Sequence, residues 1–312
     1  MNKTAATKIF NELWTAFDRH YALFEVKGIN WKQLGNLYRS KITAEISEKA
    51  FFNLCCDMIA RLNDNHVRLK DISKEMFRSG LLGEQTEDSV TFSRELINKC
   101  FLKGKAKFAL DNIFFYGRTA NNVGYIHFDR FHCRADTLAA FDIIIKGLSG
   151  CRAFIIDVRK NMGGDDIIGK RIADHFADAK RLYMKTSSKI GPERQDFAPA
   201  RDWYVENRNL KTTGKPVVLL TDRTSVSAAE NFALAFKVMP NAAVIGDITS
   251  GCYADSFWFK LSNGWETAIS FKLFTDGNNV CYEGLGVAPD YRIVNTVDDV
   301  KNERDPVLLF AL

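Results

Sequence analysis

Beyond Asn122 the chain alternates short apolar runs with stretches of helical spacing, and no other feature restricts its fold as much. The runs Val123–Phe128, Ala153–Val158, Pro216–Thr221 and Ala243–Gly246 have the length and composition of buried strands. Between them, helical periodicity covers 136–148, 166–178 and Ser227–Met239. Strand, helix, strand in succession implies βαβ units and a layered α/β domain, expected over residues 122–312.

Upstream the texture differs. Ile9, Leu13 and Phe17, and then Phe51, Leu54, Met58 and Leu62, recur at spacings of three and four, so residues 1–70 read as a small helical domain interrupted around Gly28 and Asn30. Residues 71–121 carry short alternating runs, Ser89–Ser93 and Asn112–Tyr116, and read as a small β linking segment. The stretch 185–214, rich in charge and carrying Pro192 and Pro199, reads as less regular.

Composition removes several function classes. The 43 basic and 38 acidic residues are dispersed, leaving a net charge of +5 without a basic block to track a phosphate backbone, so nucleic acid is not the expected partner. Seven cysteines, an odd number without close CxxC or CxxH spacing, fit reduced thiols better than a disulfide framework or a zinc site. No run of about 18 apolar residues could span a bilayer, and the amino terminus has no leader-like apolar region. A cytoplasmic location is expected as the sequence stands, periplasmic or secreted if a leader has been removed.

Two turns could carry chemistry. In Leu219-Leu-Thr-Asp-Arg-Thr-Ser-Val-Ser227 a buried strand runs through a polar turn into a helix that opens at Ser227. The Ser227-x-x-Glu230 spacing is that of a capping box, and taken alone capping is the commoner role. The same position also sets a hydroxyl beside a helix dipole and the N–H of Ala228, as acyl transfer requires. The second turn, Asp157-Val-Arg-Lys-Asn-Met-Gly-Gly164, follows an apolar strand and precedes a helix, so Gly163 and Gly164 serve either close packing or an oxyanion.

In order, Asn122-Val-Gly-Tyr-Ile-His-Phe, Ile155-Ile-Asp-Val-Arg-Lys-Asn-Met-Gly-Gly, Leu220-Thr-Asp-Arg-Thr-Ser-Val-Ser-Ala-Ala-Glu, Val244-Ile-Gly-Asp and Gly286-Val-Ala-Pro-Asp290 resemble the catalytic domain of the tail-specific and tricorn-core serine proteases. The resemblance spans roughly 122–293 and implies a crotonase- or ClpP-like α/β spiral behind a helical N-terminal domain. It places the nucleophile on Ser227, with Ser225 as the rival in the same turn; the oxyanion is then expected on the N–H groups of Ala228 and of Gly163 or Gly164. Processing members use a Ser/Lys dyad, but the matching stretch here, Gly246-Asp-Ile-Thr-Ser-Gly-Cys252, holds Cys252 where the lysine belongs, leaving only Lys260 or Lys272 as distant substitutes. The tricorn branch uses a histidine base and a glutamate. His66, in Arg61-Leu-Asn-Asp-Asn-His66, and Glu283, in Tyr282-Glu-Gly-Leu-Gly, stand where that branch carries them, with Asn65 in place of its serine. Singly, His66 also suits a helix C-terminal cap and Glu283 a solvated loop acid. The other histidines lack the paired spacing of a zinc peptidase, so neither a metal nor another cofactor is expected.

The expectation is therefore a serine peptidase acting on peptides or unfolded protein tails, with Ser227, His66 and Glu283 as its triad. Residues 67–122 are too few for a full PDZ domain beside the motifs they carry. A non-catalytic carrier of apolar ligands, retinoid or fatty acid, is the alternative that the same resemblance allows, and an acyl-CoA enzyme ranks below it. Cleavage preference and oligomeric state are not encoded in any pattern found.

Overall fold

The computed structural model describes residues 1–80 and 91–312. In chain order the first elements are α1 (Lys3–His20), α2 (Trp31–Arg39), α3 (Glu48–Ala60), β1 (Arg68–Lys70), β2 (Met76–Arg78), α4 (Arg94–Cys100), β3 (Lys107–Ala109), β4 (Phe114–Arg118) and β5 (Val123–Phe128). Next come α5 (Thr137–Leu148), β6 (Ala153–Asp157), α6 (Asp166–Ala173), β7 (Arg181–Ser188), β8 (Arg201–Val205), β9 (Val217–Thr221), α7 (Ala228–Lys237) and β10 (Ala242–Gly246). The chain ends through β11 (Ser256–Lys260), β12 (Glu266–Ser270), β13 (Lys272–Asp276), β14 (Tyr291–Arg292), α8 (Val297–Lys301) and α9 (Pro306–Ala311). Contacts divide it into two interleaved units: Met1–Gly83 with Lys185–Arg201 and Ala254–Thr275, and Glu84–Met184 with Asp202–Tyr253 and Asp276–Leu312.

The first unit joins the three N-terminal helices to an antiparallel sheet of order β11-β12-β1-β2. Helix α1 starts where the Asn2 side chain accepts the Ala5 N–H, and α3 where Ser47 accepts that of Ala50, each satisfying an orphan donor of the first turn. Ile9, Leu13 and Phe17 of α1 and Phe51, Met58 and Ile59 of α3 are buried in one core with Trp265, whose ring stacks on Phe51 at 5.5 Å and meets Phe52 edge-on at 5.1 Å.

The second unit is built on a seven-stranded sheet of order β14-β10-β9-β6-β5-β4-β3. The five strands from β14 to β5 are parallel, and β4 and β3 close one edge in antiparallel register. One face buries Val123, Tyr125, Ile155, Leu220 and Ile245 with Leu96 of α4 and Leu308 of α9. The other face carries Phe154 and Phe128, which meet Phe176 and Phe232 at 5.3 and 6.2 Å. Covered on both sides, such strands read as continuous apolar runs.

The fold is mixed α/β, as the alternation implies, and the strands and helices expected between 123 and 246 are present, with ends shifted by a few residues. The main departure is 185–214, read as irregular, where β7 extends through Ser188 and β8 lies at 201–205. Strand β7 holds only the short apolar run 182–184 before polar residues, and β8 opens on the charged pair Arg201 and Asp202, so neither shows a sustained apolar pattern. The helix expected over 166–178 stops at Ala173, after which the His175 N–H turns back to Ile172. The run at 112–116 begins as a turn, with Asn112 at φ 67°, and becomes strand at Phe114. The run Ser89–Ser93 falls partly outside the described residues.

Candidate active site

Strands β6 and β9 are adjacent and parallel, so the turns that leave their carboxyl ends lie side by side, at the edge where open α/β sheets place their sites. The turn after β9 separates its two serines. Ser225 is fully buried; its hydroxyl donates to the Val158 carbonyl at 2.8 Å and accepts the Asp222 N–H at 3.0 Å. Ser227 is half-buried and has φ 58° and ψ −120°, a region that a residue with a Cβ enters only when its surroundings force it.

Those surroundings are specific. The Ser227 N–H donates to the Cys252 carbonyl and to Glu230 Oε2, each at 3.1 Å. The buried Glu230 carboxylate also accepts the Gly251 N–H at 2.6 Å, the Cys252 N–H at 2.8 Å and the Thr249 hydroxyl at 2.7 Å. Burial pushes its carboxyl up to about 7, against the lowering effect of these donors. Glu230 thus does more than cap α7: it ties the Ser227 turn to the loop 249–252.

Asn161 joins the two turns. Fully buried, it accepts the Val226 N–H on its carbonyl at 2.9 Å and the Gly163 N–H on Oδ1 at 2.9 Å, while Nδ2 donates to Phe128 at 2.8 Å. Gly163, at φ +80°, abuts the Ser227 turn so closely that a Cβ would lie 2.6 Å from the Val226 oxygen and 2.7 Å from Ser227 Cβ. Since Asn161 occupies the Gly163 N–H, the donors here that meet no acceptor among the described residues are those of Gly164 and Ala228. Beneath this turn, Arg159 pairs with Asp157 at 2.6 Å and with Asp305 at 3.0 Å, all three buried. Burial alone would raise the Asp157 carboxyl, but Arg159 holds it below its ordinary range.

Glu283 lies in the loop between β13 and β14 and is buried; its Oε2 accepts the Tyr253 N–H at 2.8 Å. That loop is stitched to 249–253 by Gly284 N–H to Gly251 at 2.7 Å and by Val287 N–H to the Thr249 hydroxyl at 2.7 Å. Ser227 and Glu283 are therefore fixed by opposite sides of one short segment, Thr249–Tyr253. Cys252 is buried in that segment and supplies a carbonyl to Ser227. Of the substitute lysines, Lys272 pairs with Asp255 at 2.6 Å and Lys260 is exposed at the end of β11.

His66 belongs to the first unit, in the turn between α3 and β1. Helix α3 ends at Ala60, and the N–H groups of Arg61 to Asn63 close its last turn. The His66 N–H donates to Asp64 Oδ1 at 2.8 Å, and Tyr21 holds Asp64 Oδ2 at 3.0 Å. Burial lowers the imidazole pKa, the carboxylates of Asp64 and Asp255 oppose this, and Arg68 and Arg78 add to the lowering. The Asn65 side-chain oxygen is buried without a partner among the described residues. His127 is a buried neutral ring between Arg94 Nε at 3.0 Å and the Arg159 carbonyl at 3.1 Å, pushed down to about 4 by burial. Among the described residues, no group of three or more His, Cys, Asp or Glu side chains is arranged to hold a metal.

The sequence profile described as "Peptidase family S41" matches residues 122–293, and that of the "Tricorn protease C1 domain" matches residues 3–60. Carboxyl-terminal-processing peptidase 2, chloroplastic, of Arabidopsis thaliana is 26% identical over 176 residues, covering 56% of this chain and 32% of its own. The chain thus spans about a third of the length of the curated relatives it matches first. A crystal structure of a candidate peptidase from Parabacteroides merdae superposes with a TM-score of 0.85 at 26% identity, covering 100% of this chain and 96% of the other. Mature CPAF complexed with lactacystin gives 0.72 at 11% identity over 99% and 97%, a likeness of fold. No described helix is long and apolar enough to cross a membrane.

Proposed function

Because the chain belongs to peptidase family S41, we propose that it is a serine peptidase that hydrolyses peptide bonds through an acyl-enzyme on Ser227. The observation that carries this reading is the Ser227 backbone: a non-glycine residue at φ 58°, pinned by Glu230 and Cys252 at the mouth of α7 and pressed against a glycine with no room for a Cβ. Such strain costs on the order of 1–3 kcal/mol and persists where the surrounding structure enforces it, most often at functional sites.

His66 takes the hydroxyl proton as Oγ bonds to the substrate carbonyl carbon, and Glu283 orients the ring and stabilises the imidazolium. The lowered pKa of His66 keeps the imidazole in the neutral form that a base requires. The N–H groups of Ala228 and Gly164 receive the oxyanion, each contributing about 3 kcal/mol, while Gly163 supplies the close approach. Collapse of the intermediate breaks the C–N bond, and His66 passes the proton to the departing amine. Water, deprotonated by the same imidazole, then cleaves the ester and restores the serine. Peptides and unfolded protein tails fit this chemistry, which needs no cofactor.

The test combines a fluorophosphonate label with a short fluorogenic peptide. We expect the label on Ser227 by peptide mapping, and both labelling and hydrolysis reduced by about 10³-fold or more in Ser227→Ala and in His66→Gln. Label on Ser225, or hydrolysis that survives Ser227→Ala, would overturn the assignment.

A further inference from the structure

At the other rim of the second unit's sheet lies a groove of about 620 Å³ between α5 and the β3–β4 edge. Arg118 ends β4 opposite Gly124 near the start of β5, so the groove sits at the amino ends of the parallel strands, away from the rim that carries Ser227. Among the described residues, four cationic side chains line it, Lys103, Lys105, Lys107 and Arg118, and no carboxylate does. None of the four forms an ion pair with a described residue. The floor is apolar: Leu102 and Leu148 are buried, and Ile143 is 70% exposed.

Lysines on an edge strand also discourage unwanted sheet pairing, which is the plainer reading of Lys107. Two observations go further. The cations come from a loop, from β3 and from β4, yet border one apolar cavity together with α5. And Gly147 of α5 lines the cavity with open space where a Cβ would stand. Among the described residues, no strand pairs with the outer side of β3. A helix beside an open strand edge accepts extended chains by main-chain pairing, with side-chain pockets setting the choice of partner.

We propose that this groove docks an extended polypeptide segment that presents both carboxylates and aliphatic side chains on the face it turns toward α5, as a Glu-Glu-Val-Val repeat does. The carboxylates meet the Lys/Arg rim, the aliphatic groups cover Ile143 and Leu148, and the backbone extends the sheet at β3. A nucleic acid fits less well, because the cations border an apolar floor with the single ring of Tyr116 in the lining, whereas single strands are held by successive rings along a basic track.

The proposal does not depend on the peptidase reading, and its test is binding by the full chain carrying Ser227→Ala, so that no probe is cut. The probe is a fluorescein-labelled peptide of repeated Glu-Glu-Val-Val, followed by anisotropy, with a Lys-Lys-Val-Val repeat and oligo-dT as comparisons. We expect the acidic peptide to bind at least about tenfold tighter than either, and to weaken with salt as charge steering requires. Lys105→Glu with Arg118→Glu, and separately Gly147→Phe, which fills open space, should each weaken it by about tenfold, equivalent to about 1.4 kcal/mol. Equal binding of the acidic and basic peptides, tighter binding of oligo-dT, or unchanged affinity in both folded variants would overturn the proposal.

Discussion

A carboxylate that accepts four hydrogen bonds would ordinarily be a strong acid, yet Glu230 titrates at about 7 because burial outweighs its donors. The sign of the consequence follows from linkage. With a folded-state pKa raised from 4.5 to about 7, the native state binds more protons than the unfolded chain between those values. The contribution of Glu230 to stability is therefore fully present below about pH 4.5 and is lost as pH rises through 7. Glu230→Gln removes the titration. We expect the stability difference, parent minus variant, to fall by on the order of 3 kcal/mol between pH 4.5 and 7.5 in denaturant unfolding. A difference that stays flat or grows with pH would show that the group is ionised throughout.

The elements divide by how far apart in the chain their causes lie. Strands β5, β6, β9 and β10 and helices α5 and α7 are legible in the sequence because burial on both faces writes itself as apolar runs and helical spacing. Ser227 is legible for the same reason, as the residue where a buried strand hands over to a helix. Glu230 is half legible: S-x-x-E announces a cap, but its bonds to Thr249, Gly251 and Cys252 come from a loop about twenty residues on. Arg159 pairs with Asp305, 146 residues away, and no local pattern marks that partnership. The short Asp-Val-Arg after the apolar strand was the available signal, since an acid and a base two apart at the end of a buried strand need partners. Gly163 and Gly147 show how position decides what a glycine does. Gly163→Ala would place a methyl 2.6 Å from a carbonyl oxygen at φ +80°. It should cost about 1–3 kcal/mol of stability and about 100-fold in kcat/KM through the displaced serine. Gly147→Ala, in the last turn of α5 with open space around it, should be neutral or stabilising by up to about 1 kcal/mol. Thermal melts and peptide hydrolysis on the two variants check both, and equal effects would refute the role given to Gly163.

At the scale of the molecule, the sequence is a poor guide to which residues fold together. The span that matches the S41 profile, 122–293, contains 254–275, yet those residues pack within the helical unit. Leu261, Trp265 and Ile269 are buried there in one core with Phe51 and Phe52. Truncating a single buried aromatic to alanine already costs about 3–5 kcal/mol, and whole domains are stable by only about 5–15 kcal/mol. A fragment of residues 122–312 would carry Ser227 and every strand from β5 onward, but it would also carry this apolar face with nothing to cover it. We expect that fragment to bind a hydrophobic dye strongly and to unfold without a cooperative transition, whereas the full chain does neither. A fragment that melts as sharply as the full chain would mean that the helices of residues 3–60 are dispensable for folding and that the core around Trp265 contributes little.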